Sequence, residues 1–362
     1  MKIILVVGAR PNFVKIAQLI KKLKEDSFFS PVLVHTGQHY DYKMSELFFN
    51  ELSIPQPDIF LNVGNETPTG QIAKMLVEFE KVCINEKPDC VLVVGDVNST
   101  MACSIIASRH RIKLIHLEAG LRSNDKTMPE ETNRLITDQL SDLLLTPSLD
   151  GNTNLKREGI SESKIHFVGN IMIDTLTNYL PQIKQIKAFE KFDLKEKEYL
   201  LLTIHRPSNV DNPETLKELL ENITMLSKKI KIVFPVHPRT LNSIRSNNLV
   251  QENDNIIFIE PLGYIEFTSL MLYSKLVVTD SGGVQEETTA LGIPCITMRE
   301  NTERPITITE GTNIIIGNNY NELFALTDIA LLNNWKKASI PKYWDGKTSE
   351  RIIDVLKKFY ND

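Results

Sequence analysis

The chain has 362 residues, enough for two domains of ordinary size and too long to depend on a disulfide scaffold. Its 41 Lys and Arg against 46 Asp and Glu leave a formal charge of −5, which offers no electrostatic grip on nucleic acid or an anionic membrane. A hydrophobic content of 42% and a charged content of 24% exclude a disordered or collagen-like chain.

The first apolar run, Lys2 to Gly8, is too short for a signal-peptide core, and no later run approaches the roughly 20 residues of a membrane span. The expectation is a cytoplasmic protein. Strands are expected at Lys2 to Val7, Pro31 to Thr36, Cys90 to Val94, Leu114 to Leu117, Asp142 to Thr146 and Ile165 to Val168, then at Tyr199 to Ile204, Lys231 to Val236, Asn255 to Ile259, Leu276 to Thr279, Pro294 to Thr297 and Asn313 to Ile316. Most are apolar throughout, as strands are when helices cover both faces of a parallel sheet, and turn signals and helical patterns follow them. The fold class is therefore α/β, with two Rossmann-like, doubly wound domains. The first is expected over residues 1–172 and the second over 173–347, with the polar, Lys-rich stretch Pro181 to Lys197 as the best linker. Residues 348–362 carry Ile352, Ile353, Val355, Leu356 and Phe359 at helical spacing, which predicts an amphipathic helix packing back on the first domain. Cys83, Cys90, Cys103 and Cys295 form no C-x-x-C pair and read as buried reduced thiols.

Ligands of doubly wound sheets bind beyond the carboxyl ends of the strands, and two such domains in series predict an active-site cleft between them. The strongest local signal there is Thr279 through Glu287, a strand end, then Ser281, Gly282 and Gly283, then a helical pattern. A glycine pair lets backbone amides approach an anion and the helix N-terminus adds partial positive charge, so this is a candidate phosphate seat, with a plain strand-to-helix turn as the bland alternative. Glu287, one turn on, is placed to accept hydrogen bonds from ribose hydroxyls. Arg10 and Lys15 follow the first strand, where cations would neutralise a diphosphate; solvated side chains are the alternative.

Asp96 and Glu118 follow strand ends and Glu130 lies in a nearby loop, a set from which burial and repulsion can make an acid and a base. Glu131, just inside the helix start, reads as a capping group. His205 and His237 follow strand ends in the second half and are candidates for proton transfer or phosphate contact. His116 lies within a strand and reads as a satisfied core histidine, His35, His110 and His166 as structural, and His39 stays open. No Walker motif, G-x-G-x-x-G or metal-ligand spacing is present, so neither a nicotinamide cofactor nor a metal is expected, and the cofactor expectation is none.

Together these residues resemble one family, the non-hydrolysing UDP-N-acetylglucosamine 2-epimerases. The resemblance spans almost the whole chain. It is carried by Gly8-Ala9-Arg10-Pro11, Thr36-Gly37-Gln38-His39, Gly95-Asp96, His116 through Ser123, Pro129-Glu130-Glu131-Thr132-Asn133-Arg134, His205-Arg206, Asp280 through Glu287, and Met298-Arg299 through Thr302-Glu303-Arg304-Pro305. It implies a glycosyltransferase-B type fold, catalytic groups at Asp96, Glu118, Glu130 and His205, and UDP contacts at Arg10, Lys15, Phe267, Ser281, Gly282, Gly283, Glu287 and Arg304, with Phe267 against the uracil. Without the resemblance Phe267 would read as core. The implied reaction eliminates UDP from C1 as the C2 proton is lost, giving a 2-acetamidoglucal, then re-adds UDP with protonation on the other face. It would supply a precursor for a surface polysaccharide.

Departures from the family pattern are Ala9 and Asn12 in the first loop and Pro207-Ser208-Asn209 after His205-Arg206. Gln38, Arg206 and His237 match a second, activating UDP-GlcNAc site of some bacterial members, whereas Tyr40-Asp41-Tyr42 does not follow its pattern. Relatives acting on UDP-2,3-diacetamido uronates share the core motifs, so the C3 and C6 substituents are not legible. A hydrolysing epimerase, a glycosyltransferase on the same fold, and a nucleotide-sugar sensor without turnover are the competing readings. A homodimer is the family expectation.

Overall fold

The computed structural model describes residues 1–38, 48–64, 66–247, 249 and 253–361, Arg10 and Asn361 by their backbone. His39 and Tyr40-Asp41-Tyr42 lie outside the described residues. Within them the chain divides into two compact units, 1–178 with 342–362, and 179–341.

The first unit is built on a seven-stranded sheet of β1 (Lys2–Val7), β2 (Ser30–His35), β3 (Ile59–Phe60), β4 (Cys90–Val94), β5 (Lys113–Leu117), β6 (Leu143–Thr146) and β7 (Ile165–Phe167). Their order is β3-β2-β1-β4-β5-β6-β7 and every pairing is parallel. The apolar runs behave as the sequence predicts: Ile4 and Val6 pack with Met75, Phe79 and Ile106 on one face, while Ile3, Leu5 and Val7 are also fully buried. Both faces are therefore covered by helices, which is why no alternation is visible. The two-residue strand β3 was not expected, since Ile59–Phe60 is too short to carry a pattern and Phe60 is 44% exposed.

The second unit has a six-stranded parallel sheet of β8 (Tyr199–Thr203), β9 (Lys231–Pro235), β10 (Ile256–Ile259), β11 (Leu276–Thr279), β12 (Cys295–Thr297) and β13 (Asn313–Ile315), ordered β10-β9-β8-β11-β12-β13. Leu200, Leu202 and Val278 pack on one side with the helix Pro213–Leu226; Tyr199, Leu201 and Val277 pack on the other with the helix Tyr264–Tyr273. In each sheet the order reverses beside the first strand, β1 against β4 and β8 against β11. In doubly wound sheets the loops that leave the strands diverge at such a reversal, and ligands bind beside it at the strand carboxyl ends.

One expectation fails locally. The stretch Pro181 to Lys197 is not a linker: the helix Ile171–Ile186 runs through Pro181 and a 3₁₀ helix, Ala188–Phe192, follows it. Ile183, Ala188, Phe189 and Leu194 are buried, and few apolar residues suffice because the lysines lie outward. The division between units falls inside this helix, between Asn178 and Tyr179. The terminal helix Thr348–Asn361 belongs to the first unit and buries Ile352 and Leu356 completely. The buried Asp174 carboxylate accepts from the amides of Thr348 (2.9 Å) and Ser349 (2.6 Å) and from the Ser349 hydroxyl (2.6 Å), meeting donors that a helix start leaves open.

Candidate active site

In the first unit the chemistry gathers at the ends of β1, β4 and β5. β1 passes through Gly8-Ala9 into the helix Arg10–Glu25, with Pro11 at its first turn. Asn12 closes this turn: its Oδ1 accepts from the Gly8 and Ala9 amides, both at 3.1 Å, and its Nδ2 donates to the Val94 carbonyl at 3.0 Å. The departure at position 12 thus links the first loop to β4. One turn on, Lys15 is buried and its ammonium is ion-paired to Glu118.

Glu118 follows β5 with φ +76°, a left-handed conformation that costs a non-glycine residue on the order of 1–3 kcal/mol. Such strain persists where surrounding contacts hold the residue, here the Glu118 amide bonded to the Leu145 carbonyl at 3.0 Å and the carboxylate on Lys15. Gly95, after β4, has φ +68°, and a Cβ there would lie 3.0 Å from Lys15 Nζ and 3.2 Å from Glu118 Oε2. A glycine is what leaves room for the pair. Asp96 follows it, 25% exposed, and its Oδ2 takes two hydrogen bonds from Arg134, at 3.0 and 2.6 Å.

Arg134 also reaches Glu131, whose Oε2 lies 2.5 Å away. Glu131 does not cap its own helix. Its carboxylate accepts from the Ser123 amide and hydroxyl at 3.0 Å and from the Asn124 amide at 2.9 Å, so it clamps the loop after Glu118. Proximity in sequence favoured the cap, but the returning loop brings more donors. Glu130 is half-buried at the start of the helix Pro129–Leu140. His116 is satisfied as expected, bonded to Asp138 at 2.6 Å and to the Gly95 carbonyl at 2.8 Å. Gln38 is engaged within this unit too, its side-chain oxygen accepting from the Ser99 amide at 3.0 Å.

In the second unit the centre is Asp280, fully buried at the end of β11. Its carboxylate accepts from the amides of His205 (2.9 Å) and Arg206 (2.8 Å) and from Asn209 Nδ2 (3.0 Å), and lies 2.9 Å from His205 Nδ1. Burial opposes its ionisation, but the His205 ring, the Arg206 amide and Asn209 outweigh burial and hold it below the usual carboxylate range. A carboxylate on Nδ1 fixes a proton there and leaves Nε2 as the nitrogen that can exchange a proton, on a ring that is 39% exposed. His237 carries the opposite tautomer: its Nδ1 accepts from the Arg239 amide at 3.2 Å, so the proton sits on Nε2. The two rings lie 5.5 Å apart.

Ser281 stands at the N-cap of the helix Gly282–Leu291 but its hydroxyl makes no capping bond, so the first helical amides keep their donors. A Cβ on Gly282 would lie 2.7 Å from Arg304 Nη1 and 2.9 Å from Glu303 Oε1, so the glycine admits this pair against the helix start. Arg304 is buried between carboxylates, with Nη1 2.5 Å from Glu303 and Nε 2.9 Å from Glu286, the latter close but not aligned as a hydrogen bond. Glu303 also binds Arg299 at 2.8 Å and has Arg206 at 3.9 Å. Glu287 is buried; burial and its neighbour Glu286 raise its pKa to about 7, with the Tyr264 hydroxyl pulling the other way. Phe267 is half-buried and packs against the cluster that holds Phe189 and Tyr199.

The structure therefore brings Lys15, Asp96 and Glu118 to one sheet end, and in the other unit places His205, His237 and Arg304 on loops and Gly282, Gly283 and Glu287 on the helix that follows β11. The Arg10 side chain lies outside what is described. Sequence reasoning gave no individual role to Asp280, Glu286, Arg299 or Glu303, although all four lie in the quoted motifs; the signal was an acid directly preceding the Ser-Gly-Gly turn. Among the described residues no group of three or more His, Cys, Asp or Glu is placed to hold a metal, and no helix is long and apolar enough to cross a membrane.

The family model for UDP-N-acetylglucosamine 2-epimerase matches residues 21–357. The chain is 42% identical to the UDP-N-acetylglucosamine 2-epimerase of Methanocaldococcus jannaschii, over 98% of this chain and 99% of that one. The crystal structure of that enzyme in complex with UDP-GlcNAc and UDP superposes with a TM-score of 0.91, covering 99% of this chain and all of the other. A UDP-2,3-diacetamido-2,3-dideoxy-D-glucuronate 2-epimerase of Pseudomonas aeruginosa is 38% identical over 99% of this chain and 100% of its own. The galactosyltransferase WaaB, at 13% identity and a TM-score of 0.57, shares the fold alone. The chain thus has the glycosyltransferase-B type fold, and it belongs to the UDP-N-acetylglucosamine 2-epimerase family.

Proposed function

We propose that this protein is a non-hydrolysing UDP-N-acetylglucosamine 2-epimerase that interconverts UDP-GlcNAc and UDP-ManNAc. The observation that carries the reading is Glu118, on a strained backbone at the end of β5 with its carboxylate paired to Lys15, together with Asp96 after β4, paired to Arg134. Proton transfer at a poorly acidic C2 needs fixed carboxylates of differing environment, and these two differ in burial and in partner. Elimination breaks the C1–O bond to UDP while the C2 proton passes to a carboxylate; re-addition reforms that bond while a proton reaches C2 from the other face. Asp96, Glu118 and Glu130 share the proton transfers. His205, its Nδ1 proton held by Asp280, binds and protonates the departing diphosphate. The open amides after Ser281, with Arg10, Lys15 and Arg304, hold the anion, Phe267 supports the base, and Glu287 takes the ribose hydroxyls.

The test is incubation with UDP-GlcNAc in D₂O without added metal or nicotinamide, followed by NMR. Formation of UDP-ManNAc bearing deuterium at C2 is the expected result. Free N-acetylmannosamine plus UDP would replace it with a hydrolysing epimerase, and UDP binding without turnover would reject it for this substrate. In that last case the second reading is tested, a UDP-2,3-diacetamido uronate, which the 38% identical Pseudomonas relative favours. Gln38, Arg206 and His237 are proposed for activation by substrate, read as sigmoidal kinetics. A cytoplasmic homodimer is the proposed state, checked by fractionation and light scattering.

A further inference from the structure

His116 has no role in the reaction as proposed above, yet its surroundings are more specific than a core position needs. The ring is completely buried on β5, two residues before Glu118. Nδ1 lies 2.6 Å from Asp138 Oδ1 and Nε2 lies 2.8 Å from the Gly95 carbonyl oxygen. A carbonyl oxygen accepts only, and so does an ionised carboxylate, so each nitrogen must carry a proton. Asp138 is kept ionised from its other side: Arg122 Nη2 lies 2.7 Å from Oδ2, and the Gly120 amide donates to the same oxygen at 3.2 Å. Burial pushes Asp138 up, but the charges and hydrogen bonds of His116 and Arg122 outweigh it and hold the carboxyl below its ordinary range. The charged groups around the ring are thus Asp138 from the helix Pro129–Leu140, Arg122 with Glu158 behind it, and, past Gly95, the Lys15–Glu118 pair.

The Gly95 peptide is gripped twice by β5, its amide donating to the Leu117 carbonyl at 3.0 Å and its carbonyl accepting from His116. Gly95 precedes Asp96 directly, and Glu118 follows Leu117 directly. We propose that His116 is a positioning residue for the reaction: a buried imidazolium, clamped by Asp138, that fixes the Gly95 carbonyl and so holds the strand ends carrying Asp96 and Glu118 in register. The inference rests on the epimerase reading for its kinetic arm but not for its spectroscopic one.

The spectroscopic test uses the full chain labelled with ¹⁵N-histidine. Two slowly exchanging ring N–H signals from one histidine, both shifted in Asp138→Asn, are expected at pH 7; a single protonated ring nitrogen overturns the inference. The kinetic test compares His116→Phe with His116→Gln, whose amide still offers a donor to Gly95. Loss of the donor misplaces both acids, so the Phe variant should lose kcat on the order of 100-fold with KM within about twofold, and Gln should restore at least about tenfold. Wild-type kcat in a folded Phe variant, or a loss in KM alone, overturns the proposal. Where the Phe variant does not fold, Asp138→Asn takes its place in the kinetics. If the wild-type protein converts no UDP-GlcNAc, the functional reading fails while the ring's protonation is still decided.

Discussion

Two buried carboxylates, one in each unit, are held in opposite ways. Glu118 sits on a strained backbone and is ion-paired to Lys15, whereas Asp280 sits on ordinary backbone and accepts hydrogen bonds from two amides and an asparagine besides facing a histidine. A carboxylate paired with an ammonium group sits beside a partner that can take up the change when its own charge changes; one that accepts from several fixed amides becomes a fixed counter-charge. The first arrangement suits the proton transfer proposed for Glu118 and the second a group that orients another, here His205 as proposed. The difference shows how an acid's role is set by its partners rather than by its place at a strand end, which both share.

Substitution of Glu118 by Gln should break the comparison most sharply. The amide keeps the shape but cannot carry the proton, so turnover is expected to fall on the order of 10³-fold with circular dichroism unchanged. Near-normal turnover would place the chemistry on Asp96 or Glu130. Asp280→Asn removes the counter-charge but not the shape, and its expected loss of kcat is about 100-fold, with weaker dependence on the protonation of His205 in the pH profile. An equal loss of KM and thermal stability without a kcat effect would make Asp280 a loop anchor only.

Gly95→Ala sharpens the contrast from the backbone side. It imposes a left-handed conformation on alanine and brings a methyl 3.0 Å from Lys15 Nζ, so we expect about 1–2 kcal/mol of destabilisation by denaturant titration. Activity should fall about tenfold as the Lys15–Glu118 pair shifts. An active, fully stable variant would show that the pair does not need its present geometry.

An effect read in stability alone concerns Glu287, whose pKa is raised from the ordinary 4.5 to about 7. Between those values the folded protein binds more protons at this site than the unfolded chain. Its contribution to stability is therefore complete below about pH 4.5 and is lost as pH rises through about 7, a change on the order of 3 kcal/mol. Glu287→Gln removes that slope, so melting temperatures measured from pH 5 to 8 should fall less in the variant than in the wild type. Parallel curves would mean that Tyr264 already compensates the buried charge.

Much of this was legible in the chain. All twelve expected strands are present to within one or two residues, because runs such as Leu276 to Thr279 bury both faces and cannot be mistaken for a half-exposed pattern. What was misread lacked a local signature. Pro181 looks like a helix terminator, yet the helix Ile171–Ile186 continues through it. Glu131 looks like a cap, yet its donors come from Ser123 and Asn124, eight and seven residues upstream on a loop whose path no pattern encodes.

The sequence by itself determined the α/β class, the positions of the strands and the residues that meet chemistry at their ends, because periodicity, turn residues and motif order are local properties of a chain. The tertiary structure decided which of those residues act on each other. Lys15 meets Glu118 across 103 residues, and His116 meets Gly95 across 21, only because β4 lies between β1 and β5 in the sheet. An ion pair or a shared carbonyl is a matter of a few ångströms in space, and strand order, not sequence spacing, sets that distance.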